Sequence, residues 1–198
     1  MLEIPLFPLK TVLYPDGQLP LQIFEPRYLS MVSRCLRGDG GFGVLLIREG
    51  SEVGDAETYD VGTIAKIVDW FQADSGLLGV TAKGTDRFRL ESYQQQEDGL
   101  YVGRVEVLGR ETAAPMPEEY RSLQTVLSDI LDELSDHYSG VPTAFDDASW
   151  VSYRLAELLP LPLPTKQIML EMVDAPERLG LLRPHVESVA LRPGLRLS

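Results

Sequence analysis

Two histidines, a single cysteine and the adjacent aspartates before a predicted helix are the first candidates in this chain for catalysis or metal binding. They are His137, His185, Cys35, Asp146 and Asp147. A zinc site needs His, Cys or carboxylate ligands at suitable spacing, but the cysteine is far from both histidines and the carboxylates do not show the spacing of ligands. The two aspartates precede a predicted helix, where capping of free N–H groups is favoured over general acid catalysis. We therefore predict no metal site, no cofactor and no catalytic residue.

Nucleotide binding also lacks its usual sequence signature. The segment from Gly79 to Thr85 contains residue types of a phosphate-binding loop, but in an order that does not form one. The sequence therefore predicts a protein that is not an enzyme. The alternative is an enzyme or small-molecule binder with a pocket that motifs do not reveal.

The aromatic pair Trp70-Phe71 is the best candidate for a binding anchor. It ends a predicted strand and precedes the turn residues Asp74-Ser75-Gly76. Alternation along a strand directs the two rings to opposite faces, so one ring is expected in the core and the other outside. Exposed aromatic rings are frequent anchors at protein interfaces. We expect weak binding of polypeptide here.

The segment Glu25-Pro26-Arg27 begins a predicted helix. Negative charge is stabilised near a helix N-terminus, and an arginine in the first turn can reach neighbouring carbonyl and carboxylate groups. Glu25 and Arg27 are therefore predicted to form a structural clamp.

The elements that hold these residues change character near the middle of the chain. Residues 1–112 show short β-branched and aromatic runs separated by glycines, with one helix at 26–37. The strands are predicted at 42–47, 58–70, 77–83, 87–93 and 100–108, after two proline-containing strands that we expect to be edge strands or bulged strands. Many short strands without βαβ units favour a barrel.

Residues 117–198 show the three- and four-residue spacing of amphipathic helices. Leu123, Leu127, Ile130 and Leu134 are predicted to be buried together. Pro184 is expected to kink or end the last helix, because proline removes a backbone hydrogen bond. We predict a β-barrel subdomain and a helical bundle subdomain that form one compact unit.

Six segments along the chain carry a family resemblance. The first is the opening segment, which comprises residues 4–9 and 23–28. The other five are residues 62–67, 84–90, 155–161, 163–167 and 177–179. Their residues and order resemble those of the amino-terminal, substrate-binding domain of the protease Lon, over nearly the whole chain. The resemblance implies an α+β fold with a small, partly open, PUA-like β-barrel, one inserted helix and a C-terminal helical bundle. It also implies a stand-alone module that binds polypeptide or a partner protein in protein quality control, without the Lon ATPase and peptidase.

The net charge of −12 limits the possible partners. Nucleic-acid binding needs a basic surface, so an RNA-binding barrel is a disfavoured alternative, and anionic membranes would be repelled. The start of the chain does not look like a signal peptide, and a single cysteine fits a reducing compartment. We expect a cytoplasmic protein; the oligomeric state is left open.

Overall fold

The computed structural model describes residues 1–38, 40–52, 56–134 and 142–190. These residues form an α+β protein with seven strands and five α-helices. The chain divides into two compact units, Met1–Arg110 and Glu111–Ser198. Within the described residues, no helix has the length and apolar character needed to cross a membrane.

The first unit consists of one mainly antiparallel sheet and one helix. Its elements are β1 (Leu2–Leu9), β2 (Gln18–Ile23), α1 (Pro26–Arg37), β3 (Phe42–Gly50), β4 (Ala56–Thr58), β5 (Val61–Gln72), β6 (Leu78–Gln95) and β7 (Tyr101–Gly109). The strand order is β1-β7-β6-β5-β3-β4, and β2 pairs with β6. The β1 strand also pairs with β3, in parallel.

The prolines of β1 lie where the strand has one neighbour. Pro5 is paired with Val102 of β7, and Pro8 with Leu45 of β3. β1 is not an edge strand over its whole length, because it has partners on both sides at different points. Each proline occupies a position at which the missing N–H removes no hydrogen bond from a second neighbour.

The sheet buries side chains on both faces. Phe7, Val44 and Ala65 belong to a cluster that is covered by α1, which we call the helix-side cluster. The other faces of the same strands contribute to a smaller cluster around Phe88, which we call the Phe88 cluster. Gly43 makes room for this phenylalanine, because a Cβ atom there would lie 2.7 Å from its ring.

One local feature differs from the sequence-based expectation. The predicted strands at 77–83 and 87–93 form the single strand β6, whose pairing with β5 and β7 shifts register at bulges instead of ending. The turn Tyr14–Gly17 places Asp16 at a positive φ of 60°. Aspartate tolerates this left-handed conformation better than most residues.

The second unit is helical. A 3₁₀ turn (Glu118–Tyr120) is followed by α2 (Arg121–Glu133), α3 (Ala148–Leu158), α4 (Leu163–Glu171) and α5 (Ala175–Ala190). As predicted, Leu123, Leu127 and Ile130 are buried. Leu134 is only partly buried, because the helix ends at Glu133. Of the two effects expected of Pro184, a kink or an end of the helix, the second does not occur, since α5 continues past this residue.

A buried ion pair lies in this helical unit. The side chain of Arg178 is fully buried and lies 2.7 Å from Glu111. It also donates hydrogen bonds to the Oγ atom of Ser152 and the carbonyl of Met172, at 2.8 and 3.1 Å. Its guanidinium stacks 3.9 Å from the ring centre of Tyr153. These contacts compensate for the loss of water around the buried charge.

Candidate functional site

The hairpin between β5 and β6 ends in a tight turn. The N–H of Ala73 donates to the carbonyl of Leu77, and the N–H of Gly76 donates to that of Ala73. Gly76 has a φ of 79°, which fits the bulge residue of a three-residue hairpin loop. This turn fixes the pairing of the strand ends on which Trp70 and Phe71 lie.

Both aromatic rings of this strand end are exposed. Trp70 is 64% exposed and Phe71 is 45% exposed, so the expectation that one ring lies in the core is wrong. Trp70 is paired with Val80 and therefore lies on the face of the helix-side cluster. Its ring nevertheless stays exposed, although Val80 is buried.

Phe71 lies on the opposite face, across from Gly79. On the other side of β6, Gln22 of β2 is the cross-strand partner of Gly79. Cross-strand partners lie on one face of a sheet, so the position between Phe71 and Gln22 carries no side chain. The phenylalanine ring occupies this space.

One edge of this strand end has no strand partner among the described residues. The pairing of β3 with β5 stops at Ala65, whereas β6 accompanies β5 as far as Gln72. We call the side of Lys66–Gln72 that faces away from β6 the open edge. Most edges in native sheets are short, twisted or charged to prevent pairing with other chains.

The hairpin geometry determines which backbone groups face the open edge. Hydrogen-bonded and non-hydrogen-bonded pairs alternate in an antiparallel ladder, and Ala73 is hydrogen-bonded to β6. Trp70 and Gln72 therefore direct their N–H and C=O groups away from β6. The N–H of Trp70 instead donates to the carboxylate of Asp69, at 2.8 Å.

A cleft of about 550 Å³ begins beside the first residue of the open edge. Its walls include Ile64 and Lys66 of β5, Ile4 of β1, Cys35 of α1 and Val107 of β7. The volume is in the range of known ligand sites, and most of these side chains are apolar. The cleft is a second feature of the first unit that could receive a ligand.

The charged groups at the cleft balance each other. Arg34 and Lys66 contribute two cations, and Glu3 and Asp86 contribute two anions. Burial raises the pKa of the Cys35 thiol above its usual value, which favours the protonated form. The protonated thiol is a weaker nucleophile than the thiolate.

The predicted clamp residues lie together at the start of α1. The guanidinium of Arg27 is 2.8 Å from the Glu25 carboxylate and donates to the carbonyl of Gly99 at 3.0 Å. It also lies 4.7 Å from the centre of the Tyr28 ring. Arg27 thus connects the helix start to the turn between β6 and β7.

The remaining candidates for chemistry have structural positions or lie outside the described residues. Asp147 caps α3, since its carboxylate accepts a hydrogen bond from the N–H of Ser149 at 3.0 Å. His185 is exposed on α5, and His137 lies outside the described residues. Within the described ranges, no three His, Cys, Asp or Glu side chains are grouped as a metal site would require.

Sequence motifs did not reveal the open edge or the cleft. The relevant sequence signals were present but not specific: a glycine opposite Phe71, and an aspartate directly before Trp70. The missing strand partner depends on where β3 begins, since its first residue Phe42 pairs with Ala65, and no local pattern encodes this pairing.

Comparison with known proteins identifies the family. Residues 3–188 match the ATP-dependent protease La (LON) substrate-binding domain, and the chain belongs to this family. The match is to the substrate-binding domain, not to the peptidase or ATPase domains of Lon.

Among curated proteins, the chain is 24% identical to Lon protease 2 of Myxococcus xanthus over 188 residues, which is 90% of the chain and 23% of that protein. It is 26% identical to Lon protease of Escherichia coli strain K12 over 196 residues, which is 94% of the chain and 25% of that protein. The chain thus spans about a quarter of the length of these relatives.

Solved structures show the same fold. A Lon N-terminal domain protein from Xanthomonas campestris superposes with a TM-score of 0.77 at 34% identity, covering 93% of this chain and 98% of that one. The N-terminal domain of Mycobacterium avium complex Lon protease superposes with a TM-score of 0.65 at 18% identity, with the same coverage of both chains. At this identity, the second comparison supports the fold alone.

Proposed function

We propose that this protein is a non-catalytic, polypeptide-binding module that takes extended segments at the open edge of β5. One observation carries the proposal: Trp70 and Phe71 are both exposed on a strand end whose outer side has no strand partner among the described residues. Membership of a substrate-binding domain family supports polypeptide as the ligand.

Binding would proceed by addition of a strand. The outward N–H and C=O groups of Trp70 and Gln72 would pair with the backbone of the bound segment. This backbone pairing does not depend on the amino-acid sequence of the bound segment. The two rings would contact its side chains, one ring on each face of the sheet. Backbone pairing with apolar contact suits the recognition of unfolded polypeptide, in keeping with a role in protein quality control.

The net charge of the chain argues against other macromolecular partners. The net charge of −12 disfavours nucleic acid and anionic membranes, because both would be repelled. We propose a cytoplasmic location on the basis of this charge and the single cysteine.

The strand pairings support a small, partly open PUA-like barrel. They run from β1 through β7, β6, β5 and β3 and return to β1. We propose that residues 1–112 form this barrel and carry the binding function, and that residues 117–198 form a helical bundle.

The contacts of Arg27 support its assignment, with Glu25, as a structural clamp. Replacing Arg27 by Met would remove the ion pair and the hydrogen bond to Gly99. We expect a lower melting temperature with unchanged affinity for polypeptide. A loss of affinity without a loss of stability would instead make Arg27 part of the binding site.

A titration of fluorescently labelled, unfolded polypeptide tests the binding site. Wild type should bind in the micromolar range, with a free energy of about −8 kcal/mol or less favourable. Trp70→Ala and Phe71→Ala should each weaken binding, whereas Val173→Ala, at an exposed apolar residue of the second unit, should not. Binding should change little with salt, because it uses apolar area and backbone hydrogen bonds.

Two results would contradict the proposal. Equal affinity of wild type and both aromatic variants, all folded, would place the binding site elsewhere. Absence of binding to wild type would remove polypeptide as the ligand.

The non-catalytic part of the proposal has its own test. The purified protein should hydrolyse neither ATP nor unfolded casein. The alternative is an enzyme with a pocket that sequence motifs did not reveal. Two results together would favour it: the turnover stays with the protein through further purification, and the substitution Val107→Glu in the cleft abolishes it.

A further inference from the structure

We propose that the cleft beside Lys66 receives an apolar side chain of the bound polypeptide, four residues along from the side chain that contacts Phe71. This inference rests on the proposed function, since the same bound segment would occupy both places. It adds a requirement that strand addition alone does not impose, namely two apolar residues at a fixed spacing.

The sheet register places the two contact points on one face. Phe71 is paired with Gly79, and Lys66 with Lys83. These partners lie four residues apart on β6, so they share a face and are separated by about 13 Å at 3.3 Å per residue. On β5 the two residues are five positions apart, an odd number that would put them on opposite faces of a regular strand. The register shift between Ile67 and Asp69 adds one residue and so keeps Phe71 on the same face as Lys66.

The cleft continues the open edge without interruption. Lys66 is both the first residue of the open edge and part of the cleft wall. A segment that pairs with Trp70 and Gln72 and follows β5 toward Ala65 therefore arrives at the cleft. Its residue opposite Lys66 would direct its side chain to the same face as the residue opposite Phe71.

The chemistry of both places selects an extended polypeptide with apolar side chains. The outward backbone groups of the open edge are matched by another extended backbone. The cleft is lined largely by apolar side chains, and its two cations and two anions favour neither charge of a ligand. An apolar side chain is therefore the group that this cleft suits best.

Labelled host peptides of polar residues with two leucines test the spacing. The leucines are placed two, four or eight residues apart, and a peptide with one leucine serves as reference. We expect the peptide with spacing four to bind at least about tenfold tighter than the one-leucine peptide, which is the gain from burying one more apolar side chain. Spacings of two and eight should add little.

Variants at exposed positions of the cleft test its part in this gain. Leu2 and Val107 line the cleft and are 45% and 44% exposed, so Leu2→Glu and Val107→Glu should fold. Both should reduce the affinity for the spacing-four peptide to that of the one-leucine peptide, and leave the latter unchanged. The matched control Leu36→Glu alters an exposed leucine of α1 outside the cleft lining and should have no effect.

Cys35 provides a direct measure of cleft occupancy. It is the single cysteine of the chain and it lines the cleft, so alkylation reports on this place alone. The spacing-four peptide should slow alkylation at least severalfold at saturation, whereas the saturating one-leucine peptide should not.

The outcomes separate this inference from the proposed function. Equal affinity for all peptides, or unchanged Cys35 alkylation with saturating spacing-four peptide, would overturn the inference and leave polypeptide binding at the open edge intact. If no peptide binds to wild type, both the inference and the proposed function are wrong.

Discussion

The ring of Phe71 lies across Gly79, where a Cβ atom would come within 2.5 Å of the ring. The absence of a side chain at Gly79 thus leaves the space that the Phe71 ring occupies at the open edge. An exposed aromatic side chain that is held in place loses little further freedom when it binds a ligand.

Replacing Gly79 by Ala should displace the Phe71 ring and weaken polypeptide binding severalfold. Stability should change by less than about 1 kcal/mol, because the displaced ring can move into solvent, and alanine is favoured over glycine in a strand. Peptide titration and urea unfolding measure the two effects. Gly38→Ala is the control, since its nearest neighbour would be 3.9 Å away. Unchanged peptide affinity in the Gly79 variant would show that the ring position does not matter for binding.

Replacing Asp69 by Ala should strengthen polypeptide binding by about two- to tenfold. The Asp69 carboxylate accepts the hydrogen bond of the Trp70 N–H, which a bound strand needs as a donor. Removal of this competing acceptor leaves the N–H to the ligand, a difference of about 0.5–1.5 kcal/mol. Asp74→Ala, at an exposed position of the same hairpin, controls for the loss of negative charge. Weaker binding by the Asp69 variant would contradict strand addition at this edge.

Wild type should lose stability between about pH 10 and 12 more steeply than Tyr28→Phe. Burial raises the pKa of Tyr28 from 10.0 to about 12, with the positive charge of Arg27 opposing this shift. The neutral phenol is therefore favoured in the folded state, so its stabilising contribution is intact below pH 10 and is lost as the pH rises toward 12. Phenylalanine keeps the stacking of residue 28 on Phe7. Urea unfolding at several pH values gives the comparison, and parallel pH profiles would disprove it.

Replacing Glu111 by Ala should destabilise the helical unit by about 3–5 kcal/mol, because it leaves the buried Arg178 guanidinium without its counter-charge. The exposed pair of Arg183 and Glu187 offers a matched control. Glu187→Ala should cost less than about 1 kcal/mol. Denaturant unfolding measures both variants. Similar small losses in the two would mean that water reaches Arg178.

Replacing Leu127 by Ala should cost about 2–5 kcal/mol, because the side chain is fully buried and the change leaves a cavity. Ile168→Ala is the control in the same unit, since this side chain is 55% exposed. It should change stability by about 0.5 kcal/mol or less. A loss below about 1 kcal/mol for Leu127→Ala would indicate that the α2 core is loosely packed.

Local patterns in the sequence predicted most of the elements. The three- and four-residue spacing of apolar side chains located α2, and the proline and glycine positions located the start of α1 and the hairpin turn. These features depend on neighbouring residues alone, so a single sequence contains them. The prediction failed where distant residues decide the outcome, as in β1, whose two partners come from separate parts of the chain.

The sequence by itself determined the α+β composition, the scarcity of histidine and cysteine, and the acidic charge, since these follow from residue type and local spacing. It also placed Trp70 and Phe71 beside a turn. Only the tertiary structure decided that both rings are exposed, that β3 leaves β5 at Ala65, and that a cleft begins beside Lys66. Pairing register and strand ends result from the packing of residues far apart in the chain, and no local pattern specifies them.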